Sequence, residues 1–394
     1  MIELIINKNK EVETICLVEN GKLVEKYQDD QKTKNNRLEG NIYAGTVSDI
    51  IPGMQSAFVD YGDSRKGLLH LKDAIPQVNE KNNNKKEETK KITEVLKQNQ
   101  KVLVQIKKDS NDNKGAKIST HISIPSKYIV FMPNTDIITI SQKIENEKRK
   151  EELLKLVRES LSKEDGAVIR TSAEFASNEE IKKDIDKCIK KWKEIEESYK
   201  KSQTGNLIYY AENVQAKILM DIKVDKVITN DKQEFEQLKN IIQREEIKGV
   251  KLELSPKQNL LDMYELSSQI NKSKKRKVWL NCGGFITIDK TEALTAIDVN
   301  TGKFTGKSDI ESTIFKVNKE ATIEITKQLR LHDIGGIIII DYIDMHSKEN
   351  REEIEKLLKE QLKKDRAKTQ VEGFTKLNLM EMTRKHICSH LDEN

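Results

Sequence analysis

Asp298 and Asn300 stand two positions apart in the segment Leu294-Thr-Ala-Ile-Asp-Val-Asn300, and Asp341 closes the apolar run Ile337-Ile-Ile-Ile340. Both segments read as strands, the second one fully buried. Between them Ile310, Ile314, Val317, Ala321, Ile325 and Leu329 recur at helical spacing, and Gly335-Gly336 ends the connection. A strand–helix–strand crossover is right-handed and normally joins parallel strands. Both aspartates then reach the carboxyl edge of one sheet, where α/β folds place their ligands. Residues two apart in a strand share a face, so Asn300 accompanies Asp298. Two carboxylates held close repel each other unless a cation sits between them, and Mg²⁺ takes one or two carboxylates plus waters. Such a site can activate water and stabilise charge on a phosphate. An aspartate at a strand end serves equally as a turn or helix-capping residue, so spacing alone leaves both roles open. Asp344 likewise either joins the site or caps a helix over residues 349–364.

The rest of the chain must supply the scaffold. In residues 1–35, Ile15–Val18 and Leu23-Val24 flank Asn20-Gly21, a two-residue hairpin signal. A lone hairpin cannot bury its apolar face, so it needs a partner from later in the chain. Residues 36–120 hold short strands, Asn41–Val47, Gln55–Tyr61, Gly67–Leu71 and Val102–Ile106, the pattern of a small barrel. They are interrupted by a solvated loop over Asn79–Lys91. Ser177-x-x-Glu180 forms a capping box before a core-facing helical stripe of Ile181, Ile185, Cys188, Trp192, Ile195 and Tyr199. Residues 212–280 alternate helix (211–222, 232–242) and strand (224–228, 250–254), a sheet that the N-terminal hairpin would complete.

Composition sets wider limits. The 394 residues exceed a single small core, and 36% hydrophobic against 34% charged residues suits several domains with much surface. A net charge of +5 permits a polyanionic partner without requiring one. The N-terminus lacks the basic and apolar regions of a signal peptide, and no run is apolar enough to span a membrane, so a cytoplasmic protein is expected. Cys16, Cys188, Cys282 and Cys388 lie far apart without zinc-ligand spacing and read as reduced, buried thiols.

The segments TAIDVNTG, QLRLHDIGG, IIIIDYIDM and NLMEMTR, in this order, resemble the catalytic region of the ribonuclease E/G family. The resemblance extends to NIYAGTVSDIIPGMQSAFVDYG, NKGAKIST, SKYIVFMPN and VIRT, and runs from about residue 3 to residue 387. It implies an α+β protein of several subdomains. An RNase H-like subdomain would be split between 1–35 and 212–280, with an S1-type OB-fold barrel inserted at 36–119. A 5′-sensor subdomain would occupy 120–211, and a DNase I-like α/β catalytic subdomain 281–394. Asp298 and Asp341 become metal ligands for Mg²⁺, with Mn²⁺ as the alternative, and Asn300 their hydrogen-bonding helper. The implied reaction is hydrolysis of single-stranded RNA, ribosomal precursors and messengers, to 5′-phosphate and 3′-hydroxyl ends. A non-catalytic RNA-binding protein built on the OB fold would have no need of these three residues, and the barrel favours RNA over DNA as substrate.

Phe58 alternates with Ala57, Val59 and Tyr61, so it faces outward if those three fill the barrel, and an outward aromatic on an OB fold is a base-stacking platform. The resemblance adds Lys108 and Lys114 as basic RNA contacts, and puts Leu68 where the family carries a second aromatic. Arg170-Thr171 offers a guanidinium that grips phosphate by two bonds with a hydroxyl beside it. By resemblance the two form a 5′-monophosphate pocket with Val130 lining the base side. Ser126 and Lys368 stand where the family often has glycine and arginine. The family continues into a C-P-x-C zinc motif shared between subunits. Here the sequence ends at Asn394 with His386, Cys388 and His390 alternating, so no zinc and no zinc-linked dimer are expected, although another homo-oligomer remains compatible.

Overall fold

The computed structural model describes residues 1–10, 12–30, 38–75, 91–110, 114–256, 259–273, 275–302 and 310–387. The loop expected over 79–91 falls almost wholly outside these residues, as do Cys388 and His390. The chain divides into two units, Asn35–Asp221 and Met1–Lys34 together with Ile222–Asn394.

In the unit Asn35–Asp221, strands Ile42–Ile51, Ser56–Asp60, Gly67–His70, Lys117–Ser119 and Lys101–Lys108 follow one another around a barrel. Pairing of Ile42–Thr46 with Lys101–Gln105 closes it, so the five strands leave no free edge among themselves. Alternation drives the arrangement: Val47, Ala57, Val59, Tyr61, Leu69 and Val104 are buried inside. The barrel agrees with the OB fold anticipated above. The same unit carries a four-stranded sheet ordered Ile138–Ile140, Gly166–Ile169, Ile129–Met132, Ile124–Pro125. Helices Glu147–Ser160 and Asn178–Lys201 pack on it, the second opened by the Ser177/Glu180 capping box. Ile181, Ile185, Cys188 and Ile195 are buried, whereas Tyr199 is only half-buried at the end of the stripe.

In the other unit, a five-stranded sheet runs Lys251–Leu254, Lys226–Thr229, Ile2–Lys8, Val12–Glu19, Lys22–Asp30. The N-terminal hairpin turns at Asn20 (φ 50°) and Gly21 (φ 77°), the left-handed pair a tight hairpin requires. It finds its partner as Ile2–Lys8 pairs in parallel with Lys226–Thr229. The six-stranded sheet is ordered Lys277–Trp279, Phe285–Lys290, Leu294–Asn300, Gly336–Asp341, Leu379–Arg384, Thr369–Phe374. Helices Ile310–Leu331 and Lys348–Leu362 cover one face, where Val317, Ala321, Ile325, Ile354 and Leu358 meet Ile297, Ile338 and Ile340. The expectation of a fully buried strand at Ile337–Ile340 is therefore corrected. Ile337 is 51% exposed, and Ala296 and Asp298 beside it are exposed as well, because among the described residues no helix packs on the second face.

Glu25 shows how this unit handles buried charge. Its carboxylate accepts hydrogen bonds from Arg366 (2.8 Å), Arg330 (3.3 Å) and Tyr27 (2.9 Å). Burial opposes its ionisation, but the two guanidiniums outweigh it and hold the carboxyl below its ordinary 4.5. A lowered carboxyl stabilises the fold above the unfolded value and loses that contribution as pH falls through the folded one. Glu25→Gln is therefore expected to be destabilised at neutral pH, with the difference from the parent shrinking as pH drops below 4.5. Denaturant titrations across pH measure this, and a difference independent of pH would contradict it.

Candidate active site and nucleic-acid interface

Strands Leu294–Asn300 and Gly336–Asp341 are parallel, and Asp298 pairs in register with Asp341. Adjacent strands lie about 4.8 Å apart, so the two carboxylates stand side by side on the open face. They share that face with Asn300, whose amide donates to Oδ2 of Asp298. The register follows from the alternation of Thr295, Ile297 and Val299, all buried toward the helices, which forces Ala296 and Asp298 outward. The end of the second strand is anchored from below. The buried Tyr342 hydroxyl bonds Thr322 at 2.9 Å, and Asn318 both donates to the Ile343 carbonyl (2.8 Å) and accepts from its N–H (3.2 Å).

Asp341 holds its proton more tightly than an ordinary aspartate. Partial burial is the first cause, and the charges of Asp298 and Asp344 add to it. Asp344 lies near the pair and is not the cap of the helix Lys348–Leu362, which is capped by Ser347, whose hydroxyl accepts from the Asn350 N–H at 3.1 Å. Among the described residues no group of three His, Cys, Asp or Glu is arranged to hold an ion by protein ligands alone. Two carboxylates side by side on an exposed face do suit a hard cation that retains several waters, which is how Mg²⁺ binds.

On the barrel, Phe58 projects outward and half-buried while Ala57, Val59 and Tyr61 point in. It pairs in register with Leu68, Leu68 with Lys117, and Lys117 with Lys108. The outer face thus carries one row across four strands, two apolar side chains followed by two lysines. Lys117, which also forms an ion pair with Asp73 at 3.4 Å, escaped the sequence reading. Its alternation with the buried Ile118 was the available signal. Lys114 is exposed just beyond the end of this row.

Arg170 and Thr171 end the strand Gly166–Ile169, and Val130 lies on the neighbouring strand opposite Val168. The Arg170 guanidinium donates to the Ser126 carbonyl (2.6 Å) and pairs with Asp221. Thr171 shares a hydrogen bond with Ser141 at 2.9 Å. Ser126, at the glycine position of the resemblance, donates its hydroxyl to the buried Asp184 at 2.6 Å, and the Tyr128 N–H donates to the other oxygen of Asp184. Asp221 is a second residue that sequence reasoning missed. It lies 51 positions from Arg170 and carries no local signal. Lys368 is exposed, and its carbonyl accepts from the Lys385 N–H. Cys16 and Cys188 are buried, the Cys16 thiol pushed up to about 12 by burial, while Cys282 is only half-buried and so departs from expectation. His386 bonds the Asp333 carbonyl at 2.8 Å.

Among the described residues no helix is long and apolar enough to cross a membrane. The model of the family described as "Ribonuclease E/G family" matches residues 123–387. The chain is 36% identical over 390 residues to a Salmonella typhimurium protein named Ribonuclease G, covering 97% of this chain and 79% of that protein. It is likewise 36% identical to the Haemophilus influenzae Ribonuclease G, covering 99% of this chain and 81% of that protein. A protein named Ribonuclease E from Escherichia coli is 34% identical over all of this chain and 38% of its own length.

Proposed function

The chain belongs to the ribonuclease E/G family, and from that premise we propose that it is an endoribonuclease hydrolysing phosphodiesters of single-stranded RNA at Asp298 and Asp341. The observation that carries this reading is the register pairing of the two aspartates on an uncovered sheet face with Asn300 beside them. A folding role would not require two carboxylates in register on an exposed face. Asp298 and Asp341 would hold a divalent cation, Mg²⁺ or Mn²⁺, which when bound lowers the pKa of water and neutralises charge on the phosphate. Asn300, which donates to one oxygen of Asp298, would help to hold that carboxylate in place. The open face admits an extended strand of RNA, with the scissile phosphate above the pair. The products are 5′-phosphate and 3′-hydroxyl ends, and the substrates are ribosomal precursors and messengers in the cytoplasm.

The remaining parts take roles consistent with this. The barrel of residues 36–119 is an S1-type RNA-binding domain, and residues 120–211 a 5′-sensor. The split sheet of 1–35 and 212–280 is RNase H-like, and residues 281–394 form a DNase I-like catalytic subdomain. Phe58 stacks on a base, while Lys108 and Lys114 meet phosphates, joined by Lys117. Arg170, Thr171 and Val130 receive a 5′-monophosphate, which competes with Asp221 for the guanidinium.

A labelled single-stranded oligoribonucleotide tests the core of the reading. Internal cleavage that stops in EDTA, returns with Mg²⁺ and leaves 3′ ends extendable by a polymerase supports it. No cleavage, or 2′,3′-cyclic phosphate ends, would overturn it. For the barrel, Phe58→Ala is expected to weaken RNA binding by roughly 1–3 kcal/mol, the usual contribution of one stacked base. An unchanged dissociation constant at matched salt, with circular dichroism intact, would remove Phe58 from the interface.

A further inference from the structure

Trp279 is the most conspicuous side chain that the catalytic reading leaves unused. It is 59% exposed, on the edge strand Lys277–Trp279 of the catalytic sheet. Its register partner is Phe285, whose own partner on the next strand is Asn300. Paired residues in a sheet share a face. Trp279, Phe285 and Asn300 therefore form one row, and the neighbouring row reads Lys277, Thr287, Asp298, Asp341. The aromatic rings meet edge to face at 5.4 Å, and the Lys277 ammonium lies 4.4 Å from the Trp279 ring and 3.4 Å from the Phe285 ring.

The surroundings hold the pair in place. Glu320, on the covering helix, accepts from the Cys282 N–H at 3.0 Å and from the Asn281 N–H, bracing the turn between the two aromatic strands. Gly302 has φ +59°, and a Cβ there would lie 3.4 Å from Phe285 and 3.5 Å from Trp279 and collide with the Gly283 carbonyl. The chain leaving the catalytic strand thus passes directly against the rings. A large exposed aromatic, a cation on its face and a carboxylate pair within two or three strand spacings, on the order of 10–15 Å, make a combination that protein packing does not require.

We propose that Trp279, backed by Phe285 and Lys277, is a stacking platform for a nucleobase of the RNA substrate flanking the phosphate held at Asp298 and Asp341. The inference rests on the nuclease reading for the identity of the ligand. Every base has a π-face, so the platform tolerates any base while fixing the strand against sliding. Lys277 supplies positive charge for an adjoining phosphate, and its contact with the rings keeps it on this face. The platform orients substrate and takes no part in bond-making.

The sequence contains two tryptophans, so a Trp192→Phe background leaves Trp279 as the sole reporter. Titration with a short single-stranded oligoribonucleotide in EDTA is expected to quench its fluorescence as binding saturates by anisotropy. In parallel, oligoribonucleotides each carrying one abasic nucleotide are cleaved with Mg²⁺. The parent is expected to slow roughly tenfold or more at one abasic position flanking the cut. Trp279→Ala should cleave the intact oligonucleotide at that slowed rate and lose its sensitivity to that position, and Trp279→Phe should recover most of both. Fluorescence unchanged at saturation, or an abasic profile identical in parent and Trp279→Ala, overturns the platform. So does burial of Trp279 by a second copy of the chain, seen as concentration-dependent emission and light scattering without RNA. Quenching in a parent that cleaves nothing would refute the nuclease reading while sustaining the platform, so the two failures are separable.

Discussion

Asp298→Asn and Asp341→Asn are each expected to reduce the rate of RNA cleavage at saturating substrate by about a thousandfold or more, equivalent to ~4 kcal/mol of barrier, and to leave RNA affinity close to that of the parent. Each substitution keeps the volume and the strand, and removes one negative charge from a pair whose register puts the carboxylates side by side. Neither side chain makes a contact that the fold depends on. Asp298 is exposed and held by Asn300, and Asp341 is exposed at the end of its strand. The barrel row of Phe58, Leu68, Lys117 and Lys108, to which we assign RNA binding in the proposed function, is not touched by the substitutions. Single-turnover rates and filter-binding constants on the same preparations separate the two effects. Near-parental turnover in both variants at low Mg²⁺ would remove these residues from the chemistry.

The second large effect is on stability. The Arg384 side chain is fully buried, with its Nε 2.7 Å from Asp365 and one Nη 2.7 Å from Asp333 and 2.9 Å from the Ile334 carbonyl. Asp333 and Asp365 are themselves buried. Replacing Arg384 by Met keeps much of the volume and strands two carboxylates without their counter-charge. Breaking a buried pair in this way costs about 3–5 kcal/mol. Equilibrium denaturation measures it, and a loss below about 1 kcal/mol would show that water reaches the cluster. Restoring stability by adding Asp333→Asn and Asp365→Asn to Arg384→Met would confirm that uncompensated charge is the cause.

That cluster also marks where sequence reasoning reached its limit. Asp333 lies in QLRLHDIGG, Arg384 in NLMEMTR, and the residues are 51 positions apart. The motifs identified a family, but nothing local said that their charged members serve the core while Asp298 and Asp341 serve the surface. The register of Asp298 against Asp341 was legible because alternation, an amphipathic crossover helix and a glycine stop all agree on parallel strands. The N-terminal hairpin was legible for the same reason, since Asn20-Gly21 dictates the turn and an apolar hairpin demands a sheet. The bare face of the catalytic sheet was not. Four isoleucines in a row suit a strand covered on one side as well as on both, and only the placement of both helices on one side reveals which. The pairing of Arg170 with Asp221 and the row from Phe58 to Lys108 depend on tertiary closure, which spacing along the chain does not encode.

The one-sided covering of that sheet has a consequence for how the enzyme can change over generations. Thr295, Ile297, Val299, Ile338 and Ile340 face the helices and carry the stability of the sheet. Ala296, Ile337, Glu381 and Thr383 face away and contribute little to it. Because the strands alternate, each step along the backbone switches between the two sets, so adjacent codons answer to different selective pressures. Mutational drift confined to the outward set can explore new substrates and rates without eroding the fold, whereas the inward set must stay apolar whatever is being cut. A library randomised at Ala296, Ile337, Glu381 and Thr383 should therefore yield mostly folded proteins of widely differing activity, and the same library shifted by one residue should yield mostly unfolded ones.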